Sequence, residues 1–316
     1  MAVYTRIPKT EAQKIAKRYG LGEVERFDGI AKGSVNTNYR LVTSRGTFFV
    51  RLDEKRTSKE VSAEQGLVAH LAAKGFPTPE PLADRSGKRL AAYRKKPLTV
   101  YPWLPGADKE AHEFSLKDLA EAGAMLARLH HAAMGFRTRL PNRFGLIPTA
   151  ARWARIRTKA RIPAAHRAEL DEAVAELSRR PAPTGPAGVV HGDWFCDNLL
   201  FEGARITGVL DFEAAATDAL SFDVATAVNA LCWLPKDPDR FRKPRVQALL
   251  DGYSKGKGPA PLDASLGFWL RATALRFAVT RVLDFRMRKS SLRVEKDYRD
   301  FLRRLRWWNA QAMRRG

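Results

Sequence analysis

Apolar spacing changes character once along this chain, near Pro102, Pro105 and Gly106, from the two-residue alternation of strands to the three-to-four-residue recurrence of helices. Before the change, segments 24–30, 37–43 and 47–52 read as strands, the last two separated by a Ser44-Arg45-Gly46 hairpin signal. Residues 90–106 read as two further strands that end at the proline and glycine cluster. A short helix is expected over 10–20, with Thr10 and Gln13 as a capping box and Gly20 as its stop. The main helix of this half starts at Thr57, with Glu60 completing a second box, and ends at Gly75 before Pro77. From Ser115 the pattern is helical: 115–133, then 150–179, then four more helical stretches after a loop at Asp193. These elements predict an α+β, bilobal chain: residues 1–103 β-rich with one main helix, and residues 104–316 mainly helical.

A length of 316 residues suits two lobes, and 45% hydrophobic content is enough for a sizeable core. The longest candidate for a membrane span, 224–235, falls short of about 20 residues and is broken by Asn229. The first twenty residues are charged and helix-like, without the apolar core of a secretion signal, so a cytoplasmic protein is expected. Cys196 and Cys232 are too few for a disulfide framework, fit no zinc spacing, and are expected to be reduced and packed. The formal charge of +22, from 56 basic and 34 acidic residues, permits nonspecific attraction to polyanions. Because the basic residues are dispersed and no nucleic-acid motif accompanies them, a solvated basic surface is the expected meaning, and nucleic acid is not an expected partner.

The stretch VVHGDWFCDNLL, Val189 to Leu200, reads as a buried strand, a polar loop and a second strand. Asp193 and Asn198 lie five residues apart in it, and Asp211 follows thirteen residues after Asn198, at the end of ITGVLDF. A hairpin folded about 203–206 would set Asn198 and Asp211 side by side, because the numbers of paired residues sum to a constant. An amide oxygen and a carboxylate there are hard ligands suited to Mg²⁺, which commonly takes further ligands from substrate phosphates. With Asp193 close enough to receive the proton of an attacking hydroxyl, the layout is that of a phosphoryl transferase. A single aspartate in a turn more often closes an Asx-turn or a cap, but three oxygen-bearing side chains at convergent spacings favour chemistry. Asp218 is read as a cap for a helix near Ser221, and Asp223 as a brace for the loop.

HGDWFCDN followed by GVLDF resembles the H-G-D-x-x-x-x-N and D-F elements of the aminoglycoside phosphotransferase and choline kinase superfamily, whose fold is protein-kinase-like. GIAKGSVNTNYRL, RGTFFVRLDEKR, LAAKGFPTPEPL, LARLHHAAMGF, PNRFGL and RFAVTRVLDF, in this order, resemble its homoserine-kinase branch, so the similarity runs from the N-terminus to Phe285. The resemblance implies ATP and Mg²⁺ as cofactors, and transfer of the γ-phosphoryl to the side-chain hydroxyl of L-homoserine in threonine biosynthesis. Carried over by position, Asp193 is the base, Asn198 and Asp211 hold metal, Gly33, Ser34 and Asn36 belong to a loop over the phosphates, and His191 braces the catalytic loop.

Three departures stand out. The kinase nucleotide lysine is replaced by Arg51, whose guanidinium can clasp phosphate oxygens and whose expected partner is Glu64, with Glu60 as the alternative. Alternation puts Arg51 on the strand face of Phe49, away from Val50 and Leu52. Ser34 and Val35 stand where an apolar and an acidic residue are usual, and Glu213 stands where an aromatic is common. For the two ends of an amino-acid acceptor, Arg281 and Asp284, three apart on one helical face, are the candidates. Two other readings remain open: a kinase of the same fold with another small hydroxyl acceptor, such as an aminoglycoside, choline or a methylthioribose-like sugar, and a non-enzymatic polyanion binder on this scaffold.

Overall fold

The computed structural model describes residues 5–30, 35–234, 243–286 and 296–313. The chain divides into two units, the first ending at Pro105 and the second beginning at Gly106.

In the first unit, α1 (Lys9–Tyr19) precedes β1 (Val24–Gly29), β2 (Thr37–Thr43) and β3 (Gly46–Leu52); α2 (Ser58–Ala73) then leads to β4 (Ala91–Tyr93) and β5 (Lys96–Pro102). The strands form one antiparallel sheet in the order β1-β2-β3-β5-β4. One face carries Tyr39, Leu41, Val50, Leu52, Leu98 and Val100, which cluster with Ile15, Ala16 and Tyr19 of α1. On the opposite parity Arg51 is flanked in register by Asn38 of β2 and Thr99 of β5. Gln65 of α2 donates to Thr99 Oγ1 at 2.9 Å, so α2 covers this polar face.

The helix starts separate two kinds of sequence signal. Thr57 and Glu60 form the expected capping box, with Thr57 N–H donating to Glu60 Oε2 at 2.8 Å and Glu60 N–H to Thr57 Oγ1 at 3.3 Å, an arrangement whose loss costs about 1 kcal/mol. The box expected at Thr10 does not form. Pro8 is the N-cap, its carbonyl already accepting from the N–H groups of Glu11 and Ala12, so Thr10 lies inside the helix. Gln13 Oε1 instead accepts from Val24 N–H at 3.1 Å.

The second unit contains α3 (Leu116–Ala132), α4 (Leu146–Ile156), α5 (Ala164–Arg179), β6 (Ala187–Val190), β7 (Leu199–Glu202), β8 (Arg205–Val209), β9 (Ala216–Ala219), α6 (Leu220–Leu231), α7 (Lys243–Lys255), α8 (Leu266–Arg281) and α9 (Tyr298–Met313). The single helix expected over 150–179 is two, because Pro163 lacks the N–H that would continue the ladder and serves as the N-cap of α5. Helices α3 and α7 cross backbone to backbone: a Cβ added at Gly123 would lie 2.0 Å from the Leu249 carbonyl oxygen, and one at Gly252 would lie 1.9 Å from that of Ala120. Asn229, which breaks the apolar run of α6, is fully buried and binds three helices together. It donates to the Leu270 carbonyl at 2.8 Å and accepts from Trp308 Nε1 at 2.9 Å. No helix among the described residues is long and apolar enough to cross a membrane.

Candidate active site

Strand β6 pairs with β9, so the chain leaving Val190 passes the start of α6. There Asp223, in the first turn of α6 and fully buried, accepts two backbone N–H groups: Gly192 at 2.7 Å and His191 at 2.5 Å. Gly192 has φ 74°, and a Cβ on it would meet the Ala214 carbonyl oxygen at 2.6 Å, so both conformation and space require glycine. Its carbonyl accepts from Arg276 Nη1 of α8. The buried His191 ring accepts from Asp193 N–H at Nδ1, 3.2 Å, and donates from Nε2 to the Leu210 carbonyl, 2.9 Å. That pattern defines the Nε2–H tautomer and commits both nitrogens to the loop, which fits a brace.

A second layer escaped the sequence reading. His130 of α3 stands 3.4 Å from Asp223 Oδ2 through Nε2 and 2.8 Å from the Tyr253 hydroxyl through Nδ1. Tyr253 Oη accepts from Ala260 N–H at 2.9 Å, so its own proton goes to His130, and burial pushes its pKa up. The only sequence trace was a histidine at a core position of an amphipathic helix.

On the other side of the loop, Asn198 closes the 3₁₀ turn Cys196–Asn198 and donates from Nδ2 to the Asp193 carbonyl at 2.8 Å. Strands β7 and β8 pair Glu202 with Arg205 and Phe201 with Ile206, then shift by one residue, so that Leu200 meets Gly208 and Leu199 meets Val209. Leu210 N–H therefore bonds the Asn198 carbonyl, at 2.9 Å, and Asp211 comes one residue later. The tight turn that pairs Glu202 with Arg205 sets the register two residues short of one that would place Asn198 opposite Asp211, and the bulge recovers one of the two. Asn198 and Asp211 still reach the same end of the hairpin. Asp211 is left-handed, at φ 61° and ψ 70°, and caps the turn Phe212–Ala214.

Asp193 is half-buried, and removal from water raises its carboxyl pKa; Arg276 opposes this, while the charges of Asp211 and Asp197 add to it and Lys296 opposes it. Asp211 is thus within electrostatic reach of Asp193. Because the Asn198 amide nitrogen is occupied by Asp193, its carbonyl oxygen is the atom left for a cation. One amide and one carboxylate oxygen fit a hard divalent ion that borrows its other ligands. Among the described residues no cluster of three or more His, Cys, Asp and Glu offers an all-protein cage instead.

In the first unit Arg51 is buried, with Nη1 3.6 Å from Glu64 Oε1. Glu60 serves the helix cap. Glu64 has a closer partner than Arg51: Arg56 Nη1 binds its Oε2, while Arg56 Nε donates to Asp53 Oδ1 at 2.7 Å. All four groups are at most 8% exposed, so two arginines and two carboxylates compensate one another inside the protein. Sequence reasoning missed Arg56 and Asp53. Asn36 is buried and accepts from Glu54 N–H at 3.3 Å, tying its loop to the end of β3. Gly33 and Ser34 lie outside the described residues.

The end of α8 departs from expectation. The α-helix stops at Arg281 and continues as a π-turn over Val282–Arg286, which alters the angular advance on which placing Arg281 and Asp284 on one face depended. Arg281 turns to α9, donating to the Asp297 carbonyl at 2.8 Å and to Asp300 at 3.2 Å, with Phe301 stacked 4.4 Å away. Asp284 lends its charge to Arg152. Asp218 is no helix cap either: it lies in β9 and accepts from Ala219 N–H at 2.7 Å and from Asn142 Nδ2 at 2.5 Å. Both cysteines are free, and burial pushes their thiols up to about 11 at Cys196 and about 12 at Cys232, so neither is a ready nucleophile.

A β-sheet unit with a buried arginine–glutamate cluster, followed by a helical unit with a braced His-Gly-Asp loop and an Asn/Asp hairpin end, has the architecture of a kinase-like phosphotransferase. The sequence profile of the phosphotransferase enzyme family matches residues 26–259, and the chain belongs to that family. Its sequence is 35% identical to the homoserine kinase of Xanthobacter autotrophicus, over 98% of this chain and 97% of that protein. It is 33% identical to the homoserine kinase of Allorhizobium ampelinum, with 98% and 97% covered. Among solved structures it resembles an amicoumacin kinase in complex with AMP-PNP, Ca²⁺ and Ami, with a TM-score of 0.71 at 17% identity over 97% of this chain and 93% of that one. A spectinomycin phosphotransferase in complex with ADP and spectinomycin gives 0.69 at 13% identity, with 96% and 95% covered. At such identities these two structures establish the shared fold.

Proposed function

We infer that this chain transfers the γ-phosphoryl group of ATP to the side-chain hydroxyl of L-homoserine, a step toward threonine. The observation that carries the acceptor is full-length similarity to homoserine kinases at about one residue in three; neither another acceptor nor polyanion binding has comparable support.

In this reading Asp193 accepts the hydroxyl proton as the oxygen forms its bond to phosphorus and the bond to the ADP oxygen breaks. Its elevated carboxyl pKa suits that task, because a base whose pKa lies nearer the working pH drives proton transfer better. The Asn198 carbonyl oxygen and the Asp211 carboxylate would hold Mg²⁺, which supplies positive charge to the phosphate oxygens when bound. Asp223, His191 and Arg276 hold the loop through its backbone and leave the Asp193 carboxylate for the reaction. Arg51, positioned by Glu64, takes the part of the phosphate cation in the first unit, and Asn36 shapes the loop that covers the phosphates. We assign residues 1–103 to nucleotide phosphate binding and 104–316 to catalysis, metal and acceptor.

Purified protein with ATP and Mg²⁺ should release ADP when L-homoserine is added. A panel containing homoserine, serine, choline, an aminoglycoside and a sugar alcohol separates the reaction from the acceptor. Silence with homoserine beside turnover of another alcohol would overturn the acceptor, and silence throughout would overturn the reaction.

A further inference from the structure

The structure departs from the sequence expectation where an amino-acid acceptor would need a cation. Arg281 is engaged with α9, but Arg152 of α4 is not engaged to the same degree. Its Nη2 donates to the Arg143 carbonyl at 3.2 Å, while its Nη1 is buried with no hydrogen-bond partner among the described residues. A guanidinium carries five N–H donors, and one left buried and unmet is costly unless an acceptor is supplied from elsewhere.

The surroundings of Arg152 connect it to the reacting loop. Its Cζ lies 5.2 Å from the ring of Phe144, and the same ring is 4.6 Å from Cζ of Arg276. Arg276 in turn holds the carbonyl of Gly192, the residue before Asp193. Arg143 is a third guanidinium on that ring, at 5.7 Å, and it clasps the Glu213 carbonyl at 2.8 Å, two residues beyond Asp211. Positive charge thus gathers around one aromatic beside the catalytic loop. Asp284, on the π-turn after α8, is the carboxylate whose field offsets Arg152. Backbone irregularities of this kind recur where a side chain is aimed at a ligand.

We propose that the α-carboxylate of the acceptor is recognised here, with Arg152 taking it, while the side-chain hydroxyl reaches Asp193. The inference rests on the amino-acid kinase reading. In extended homoserine the hydroxyl oxygen and the carboxylate carbon are separated by four bonds, roughly 5 Å, so its two ends can engage different groups of one site. A planar guanidinium gives a carboxylate two parallel hydrogen bonds, a geometry that lysine cannot copy.

The test is steady-state kinetics of the intact protein with L-homoserine and with 2-aminobutane-1,4-diol, in which a hydroxymethyl group replaces the carboxylate. Arg152→Gln should raise the KM for homoserine at least tenfold, leave the KM for ATP within about twofold, and erase most of the preference for homoserine over the diol. Arg152→Lys, which keeps charge and bulk over Phe144, should lose several-fold of that preference, and it decides the matter if the glutamine variant does not fold. An unchanged preference in a folded variant, or equal losses with both acceptors, overturns the inference and leaves the function standing. A wild-type protein inactive on homoserine overturns both.

Discussion

The two units both bury charge, but they spend it on different partners. In the first, Arg51, Asp53, Arg56 and Glu64 meet side chain to side chain, so the cluster is a balance of charges which, in the proposed reading, an incoming phosphate would redistribute. In the second, Asp223 and Arg276 act on the N–H and C=O groups of His191 and Gly192, so their charge fixes the path of a loop. Side-chain pairs can trade partners when a ligand arrives, whereas a side chain that satisfies buried backbone groups cannot leave without exposing them. The first device suits a group that must bind and release, and the second a base that must stay where it is.

The sharpest way to break this comparison is at the base. Asp193→Asn keeps shape and hydrogen bonding but cannot accept a proton, so ADP release with homoserine should fall about 10³-fold while the melting temperature and near-UV circular dichroism stay native. Retention of a tenth of the activity would remove Asp193 from its assigned role. Next in size, Asp223→Ala leaves two buried N–H groups unmet and should cost about 3 kcal/mol of unfolding free energy, read from a urea midpoint, with activity lost alongside. An Asp223→Ala protein as stable as wild type would show that the loop holds its own shape.

In the first unit the effects should be smaller and fall on the ligand. Arg51→Gln is expected to raise the KM for ATP about tenfold with little change in the homoserine KM, because Arg56 remains to pair Glu64. Arg56→Gln in contrast should appear in stability before it appears in KM; if the two variants behave alike, the cluster is one structural unit and Arg51 has no special claim on phosphate.

The smallest expected effect asks whether the backbone-clamping device also works at a site without chemistry. Asp84 accepts from Ser86 N–H at 2.9 Å, Lys88 N–H at 3.0 Å and Ser86 Oγ at 2.7 Å, and pairs with Arg18. Led by the Ser86 hydroxyl, these bonds hold its carboxyl pKa well below the ordinary range. A depressed folded-state pKa means stability that is present above the unfolded value, about 3.9, and lost as pH falls through the folded one. Asp84→Asn should therefore melt below wild type at pH 7, with the gap closing as pH drops below about 4. A gap independent of pH would mean that the carboxylate charge contributes nothing.

Much of this was readable from residue order. The hairpin at Ser44-Arg45, the Thr57–Glu60 cap, the strand face of Arg51 and the spacing of Asp193, Asn198 and Asp211 all depend on neighbours within a turn or a ladder, where backbone geometry turns sequence distance into spatial distance. The start of α1 shows the limit even there, since Pro8 and Thr10 both carry start signals and the chain used the proline.

What residue order determined by itself, then, was most of the strands and helices, the family, and which acid, amide and base to suspect. Tertiary structure alone decided that Arg56 shares Glu64, that Tyr253 and His130 stand behind Asp223, that the turn and bulge of the hairpin together set Leu210 rather than Asp211 opposite Asn198, and that Arg281 turns away to α9 while Arg152 stays near the loop. The physical reason is range: local patterns follow from backbone geometry repeated every two or 3.6 residues, while these contacts join groups brought together only when distant elements pack and must satisfy one another's buried polar atoms.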